Sequence, residues 1–177
     1  LKFDGTAICL TYRNGTLFRA LTRGDGTVGD DVTRNVLQIP SIPKKLKEGT
    51  GYPYEFEIRG EIYMPYKAFD KLNRQRELDE EPPFANPRNA ASGSLKLLDP
   101  QAVKGRGLEC TLYHLLTDEP VAPEHTQSLK IAASWGLPVS EHIRECSTIE
   151  EIEQYIAYWD TERKNLPFAT DGIVIKV

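Results

Sequence analysis

No stretch of this chain is apolar for long enough to cross a bilayer; no run approaches the roughly 18 residues that a membrane helix needs. Cysteine is scarce. Cys9, Cys110 and Cys146 are odd in number and far apart, and no Cys-x-x-Cys pair occurs, so no zinc site is implied. Reduced core thiols in a cytosolic protein are expected. Excess positive charge is also missing. The formal net charge is −4, so any contact with a polyanion has to come from local basic patches. There is no Walker Gly-x-x-x-x-Gly-Lys pattern, no repeat and no low-complexity linker. Leu1 begins inside a motif, so the lack of a leader peptide says little. Asn14-Gly15-Thr16 matches a glycosylation sequon, but a hairpin turn explains it better.

What is present is a globular pattern. The 177 residues are 40% hydrophobic, enough for one domain or a compact pair with a sizeable core. Ala7 to Tyr12 and Leu17 to Thr22 read as two strands joined by Asn14-Gly15, the strongest short hairpin signal. Asp30 to Leu37 reads as a short helix stopped before Pro40, and residues 40 to 53 as a loop. Tyr54 to Met64 alternates as a strand, with Glu55, Glu57, Arg59 and Glu61 on one face and Phe56, Ile58 and Ile62 on the other. Pro65 opens a helix reaching about Leu78. Asn86 to Leu98 suggests a short helix of small residues, and Leu108 to Leu116 a buried strand. Glu124 to Trp135 is amphipathic and stops at Gly136. Ser147 to about Lys164 is the longest helix, with Ser147-Thr148-Ile149-Glu150 as a capping box. Gly172 to Val177 is the last expected strand. This order of hairpins and helices predicts an α+β fold with antiparallel sheets.

Five segments carry chemistry. Lys2-Phe3-Asp4-Gly5 offers a lysine, which is nucleophilic only when neutral; its free pKa is about 10.4. Nearby positive charge or desolvation lowers that value, and Lys176 supplies the charge if the two chain ends lie together. Asp4 could orient the amine or hold a metal. An exposed lysine before an Asp-Gly turn is the plain alternative. In Arg23-Gly24-Asp25-Gly26-Thr27 the glycines free the backbone to approach phosphates, with Arg23 adding charge; a simple turn is the alternative. In Ile58-Arg59-Gly60-Glu61, a strand glycine marks close approach of a backbone or ligand, against the plainer reading of a solvated charged face. In Asp171 to Lys176, Val174 could floor a pocket into which Lys176 reaches; an ordinary buried strand is the alternative. The run Phe84-Ala85-Asn86-Pro87-Arg88-Asn89-Ala90-Ala91-Ser92-Gly93-Ser94-Leu95 has the small and polar residues suited to tracking a polyanion backbone, with Arg88 and Lys96 as contacts.

In order and in kind, these segments resemble the adenylation (nucleotidyltransferase) domain of bacterial NAD-dependent DNA ligases, over nearly the whole chain. Asn86-Pro87-Arg88-Asn89 and Trp135-Gly136-Leu137-Pro138-Val139 match the NAD-using branch. The resemblance implies the nucleotidyltransferase fold of the ligase and capping-enzyme type: two packed antiparallel sheets flanked by helices, with a nucleotide cleft between them. It implies that Lys2 becomes adenylated with support from Asp4. Arg23 and Glu61 would contact the nucleotide, Glu61 near the ribose. Tyr113 would stack on adenine, Val174 would line the pocket, and Lys176 would hold the α-phosphate. Arg88 and Lys96 would face nicked duplex DNA.

NAD is the implied substrate. Mg²⁺ would be held through phosphates rather than by protein ligands, and zinc would belong only to a domain outside this chain. A cytoplasmic, nucleoid-associated monomer with no membrane partner is implied. Residues 1–177 would be one adenylation domain truncated at both ends, without the nicotinamide-recognition, OB-fold, zinc, helix-hairpin-helix and BRCT regions. An ATP- or GTP-using RNA ligase or capping enzyme would share the lysine motif, but the Asn-Pro-Arg-Asn segment argues against it. A kinase reading fails for want of a Gly-x-Gly-x-x-Gly loop and a His-Arg-Asp sequence. The acidic balance disfavours a non-catalytic DNA-binding module.

Overall fold

The computed structural model describes residues 1–24 and 27–177. Strands β1 (Thr6–Arg13) and β2 (Thr16–Thr22) form the expected hairpin. Asn14 and Gly15 both take positive φ, 48° and 72°, which a two-residue turn between right-twisted strands requires. Any side chain at Gly15 would also run into the Tyr52 ring. After α1 (Thr33–Val36) come β3 (Glu55–Tyr63), α2 (Tyr66–Leu78), α3 (Pro87–Leu95), α4 (Pro100–Val103), β4 (Glu109–Leu116), α5 (His125–Ser134) and α6 (Ile149–Glu162). Among the described residues the named strands form one four-stranded antiparallel sheet, in the order β2-β1-β3-β4.

The alternation of β3 holds. Phe56, Ile58, Gly60 and Ile62 are buried, while Glu55 and Arg59 are exposed. The apolar face packs on Leu10, Tyr12, Ala20 and Leu112, and α1, α3 and α5 cover it. Trp135, part of the segment read as specific to one enzyme branch, belongs to this core. It is 1% exposed, and its ring lies 5.0 Å from Phe56. Burying an aromatic of that size contributes roughly 2–3 kcal/mol, so the motif supports the fold.

Local signals explain most helix ends. Asn86 lies outside α3 and caps it, its side-chain oxygen accepting from Asn89 N at 2.8 Å, with Pro87 in the first turn. The capping box of α6 sits one residue later than expected. Thr148 is the cap, and Glu151, not Glu150, returns the bond to the cap backbone. Both registers read as a Thr or Ser followed by Glu at the required spacing. Ser147 N also donates to Glu151, which favours the later register. No residue of α6 is buried.

The expected last strand, Gly172 to Val177, does not form, and no second sheet is found among the described residues. These residues have no ladder partner among the described residues, and Val174, Ile175 and Val177 are exposed. The Gly172 carbonyl accepts from Lys2 N, but that single bond makes no ladder, and propensity alone does not make the rest a strand. Asp25 and Gly26, in the segment expected to approach phosphates, lie outside the described residues.

Candidate functional site

The polar face of the sheet gathers the charged residues, and Glu61 is its centre. It stands on β3 between Ala7 of β1 and Thr111 of β4. Its Oε2 is buried with no hydrogen-bond partner. Burial pushes its carboxyl up to about 7; the negative charge of Asp4 adds to the rise, while Lys2 and Arg23 oppose it. Residues 2, 4, 23 and 61 therefore share one electrostatic environment. Gly60 permits the close approach behind them, since a Cβ there would overlap the Thr111 carbonyl and meet Leu112.

Lys2 is held by both backbone and side chain. Its N–H donates to Gly172 O at 2.9 Å, and its carbonyl accepts from Asp171 N at 2.8 Å. Phe3, pointing the other way, stacks on Phe168 at 4.5 Å and meets Tyr63 edge-on at 5.0 Å. This alternation anchors the segment in an aromatic cluster and leaves Lys2 and Asp4 free to serve the site. The Lys2 Nζ lies 3.3 Å from Asp171 Oδ2. The carboxylate in contact with the lysine is thus Asp171. Asp4 has the Arg88 Nε 3.6 Å from its Oδ1. Sequence reasoning missed Asp171 as a site residue. The available signal was the symmetry of the motifs, an Asp-Gly pair beside each lysine segment.

Tyr113 owes its position to an irregularity. Arg59 pairs with His114 and Gly60 with Leu112, so Tyr113 is an extra residue in β4 at a bulge. Bulges re-aim a side chain without ending the ladder. The ring is half-exposed, and the Lys176 Nζ lies 5.5 Å from its centroid, within cation–π range. Burial, and then Glu61, push the Tyr113 phenol up. Burial lowers Lys176. His114 and His125, with rings 5.9 Å apart, are each lowered first by burial and then by the charge of Lys176. Neither histidine was foreseen. Val174, expected to line the pocket, is exposed.

The exposed side of α3 carries Arg88, Asn89 and Gly93, with Ser92 partly covered, and Lys96, just past the last helical residue, continues the stripe. Its buried side, Ala90, Ala91, Ser94 and Leu95, packs against the sheet. Asn35 of α1, buried against the end of α3, donates to Leu95 O at 2.5 Å and Leu97 O at 2.9 Å.

A cavity of about 180 Å³ lies beside this cluster, behind Phe3, Tyr63 and Phe168. Among the described residues, the charged groups themselves sit on an open face of one sheet. Among the described residues no group of three or more His, Cys, Asp or Glu side chains could hold a metal ion. The cluster offers an amine, carboxylates, an aromatic face and a second lysine. That set can bind a ring, a sugar hydroxyl and a phosphate, and can attack an electrophile.

A family model described as the NAD-dependent DNA ligase adenylation domain matches residues 1–177. The chain is similar to curated proteins named DNA ligase. It is 55% identical over 177 residues to that of Parabacteroides distasonis, 57% to that of Phocaeicola vulgatus and 56% to that of Bacteroides fragilis. Each match covers 100% of this chain and 26% of the relative, so the chain spans about a quarter of the length of these proteins.

Proposed function

The chain belongs to the family of NAD-dependent DNA ligase adenylation domains, and on that premise we propose that Lys2 attacks the α-phosphorus of NAD. The amine loses its proton, a P–N bond forms, and the pyrophosphate P–O bond breaks as nicotinamide mononucleotide leaves with the electron pair. The 5′-phosphate of a DNA nick then takes the AMP, restoring the lysine. Attack by the 3′-hydroxyl finally seals the strand and releases AMP. The nucleotidyltransferase fold is proposed with the function, its sheet here being the four-stranded one.

The observation that carries the reading is the polar face shared by Lys2, Glu61 and Tyr113. The orphaned Glu61 Oε2 is a ready acceptor for a ribose hydroxyl; binding one would remove the cost of an unpaired buried oxygen. The half-exposed Tyr113 ring offers a stacking surface for adenine. Lys176, over that ring, would neutralise the α-phosphate, and Arg23 would add charge to the same anion. Asp171 fixes the Lys2 amine, and Asp4 acts on the shared electrostatics of Glu61 and Arg88. Mg²⁺ would shield the phosphates, held mainly by their oxygens and by water, because no carboxylate cage is found among the described residues. The α3 stripe, with Arg88 and Lys96 at its ends, would track the nicked strand.

The test is to incubate the full-length protein with NAD or with ATP and weigh the products. NAD should add one adenylyl group, and Lys2→Ala should abolish the addition. A stable adenylate on the Lys2→Ala protein would disprove the assignment of the nucleophile. Adenylation by ATP would move the chain to the ATP-using branch.

A further inference from the structure

Both cations of the α3 stripe are already held by carboxylates. The Arg88 Nε is 3.6 Å from Asp4 Oδ1, and the Lys96 Nζ is 3.2 Å from Asp30 Oδ2. They stand eight positions apart, or about 12 Å along the helix axis. Asp30 is presented from a tied segment. Its N–H donates to Thr22 Oγ1 at 3.0 Å, and its carbonyl accepts from Thr22 N at 3.0 Å. Its carboxylate nevertheless remains 66% exposed. An exposed pair of this kind contributes little to folding, since water solvates both ions almost as well. Its consequence is for binding: Lys96 has to leave Asp30 before it can take another anion.

We propose that Asp30 is an internal stand-in for a backbone phosphate. It occupies Lys96 in the DNA-free chain and is exchanged for a phosphate when nicked duplex binds. Asp4 and Arg88 make the matching exchange at the other end of α3. The proposal rests on reading α3 as the DNA-facing element. A single phosphate displaces one carboxylate at little gain, whereas a strand that presents phosphates at both ends of the helix displaces both at once. The exchange therefore favours a polynucleotide over free nucleotides. At the Arg88 end it leaves Asp4 without its partner beside Glu61 and Lys2, so arrival of DNA changes the charge around the lysine.

The test is a double-mutant cycle in the full-length protein, with nicked-duplex affinity measured over a salt series for wild type, Asp30→Asn, Lys96→Ala and the double variant. Asp30→Asn should tighten binding roughly two- to fivefold at low salt. That gain should vanish in the Lys96→Ala background, and self-adenylation by NAD should be unchanged in Asp30→Asn, showing an intact fold. No gain overturns the proposal. So does a gain that survives Lys96→Ala, which would reflect only the loss of one negative charge. If Lys96→Ala alone binds as wild type does, the DNA-facing reading of Lys96 fails and the exchange fails with it. The adenylation measurement with NAD stands separate from both.

Discussion

Glu61 shows how a single residue is placed at odds with the fold for the sake of a site. Its carboxyl is pushed up to about 7 by burial first and by Asp4 second, against an unfolded value near 4.3. Between those two values the folded chain binds a proton that the unfolded chain does not, so stability falls as pH rises through that window. Above it the folded state bears the full cost of an ionised buried group. Glu61→Gln should therefore stabilise the fold at pH 8 by about 1–2 kcal/mol, allowing for solvent screening of a partly exposed group. The same change should weaken nucleotide binding. Urea unfolding of both proteins at pH 5 and pH 8 checks this: the two curves should differ at pH 8 and converge at pH 5. Equal stability at pH 8 would remove Glu61 as the strained group. The charge pattern of β3 was readable from alternation alone, and the resemblance grouped residues 2, 4, 23 and 61 in one site; the orphaned oxygen of Glu61 was not legible, because it depends on what folds over the strand.

The elements divide in the same way. The Asn14-Gly15 hairpin, the two faces of β3 and the Gly136 stop of α5 were legible because each follows from local sterics. The bulge that aims Tyr113 was not, since a register shift is a property of two strands and leaves no mark in either. The capping box slipped by one because two adjacent residues, Ser147 and Thr148, can both cap. Asn35 was silent in the sequence, yet it holds the carbonyls that end α3. Asn35→Ala should leave these buried acceptors unpaired and destabilise the chain by about 1–3 kcal/mol, loosening the helix end that carries Lys96. Thermal unfolding measures the first effect, and a weaker, less salt-dependent interaction with nicked duplex measures the second. A melting temperature equal to wild type would mean that water or another group replaces the amide.

At the scale of the whole molecule, a chain of net charge −4 can bind a polyanion only through a local patch. The α3 stripe is such a patch, built from residues that the sequence already grouped. The expected second sheet did not follow in the same way, because residues 172–177 find no ladder partner among the described residues; long-range pairing is what local pattern leaves unspecified. Arg88→Ala should leave the yield of enzyme–AMP intact while weakening nicked-duplex binding and flattening its dependence on salt, by about one phosphate contact in the log–log slope. If enzyme–AMP formation falls as far as sealing does, the contact with Asp4 at 3.6 Å matters more than any contact with DNA.

Helix α6, with no buried residue, has a kinetic consequence. Amide protons in β1 and β3 are shielded until the whole sheet opens, whereas those of α6 need only a local excursion that exposes little apolar surface. The segment that presents Asp171 to Lys2 hangs from this loosely held end: Arg163 donates to Thr170 O at 3.1 Å, and the Tyr155 hydroxyl donates to His142 O. Deuterium uptake should accordingly rank α6 and residues 163–171 far ahead of the sheet. Formation of the lysine adenylate should slow uptake in 163–171 while leaving β1 and β3 as they were. Equal uptake across α6 and β3 would mean that the two open together as one cooperative unit, and that the clasp on Lys2 is as durable as the core itself.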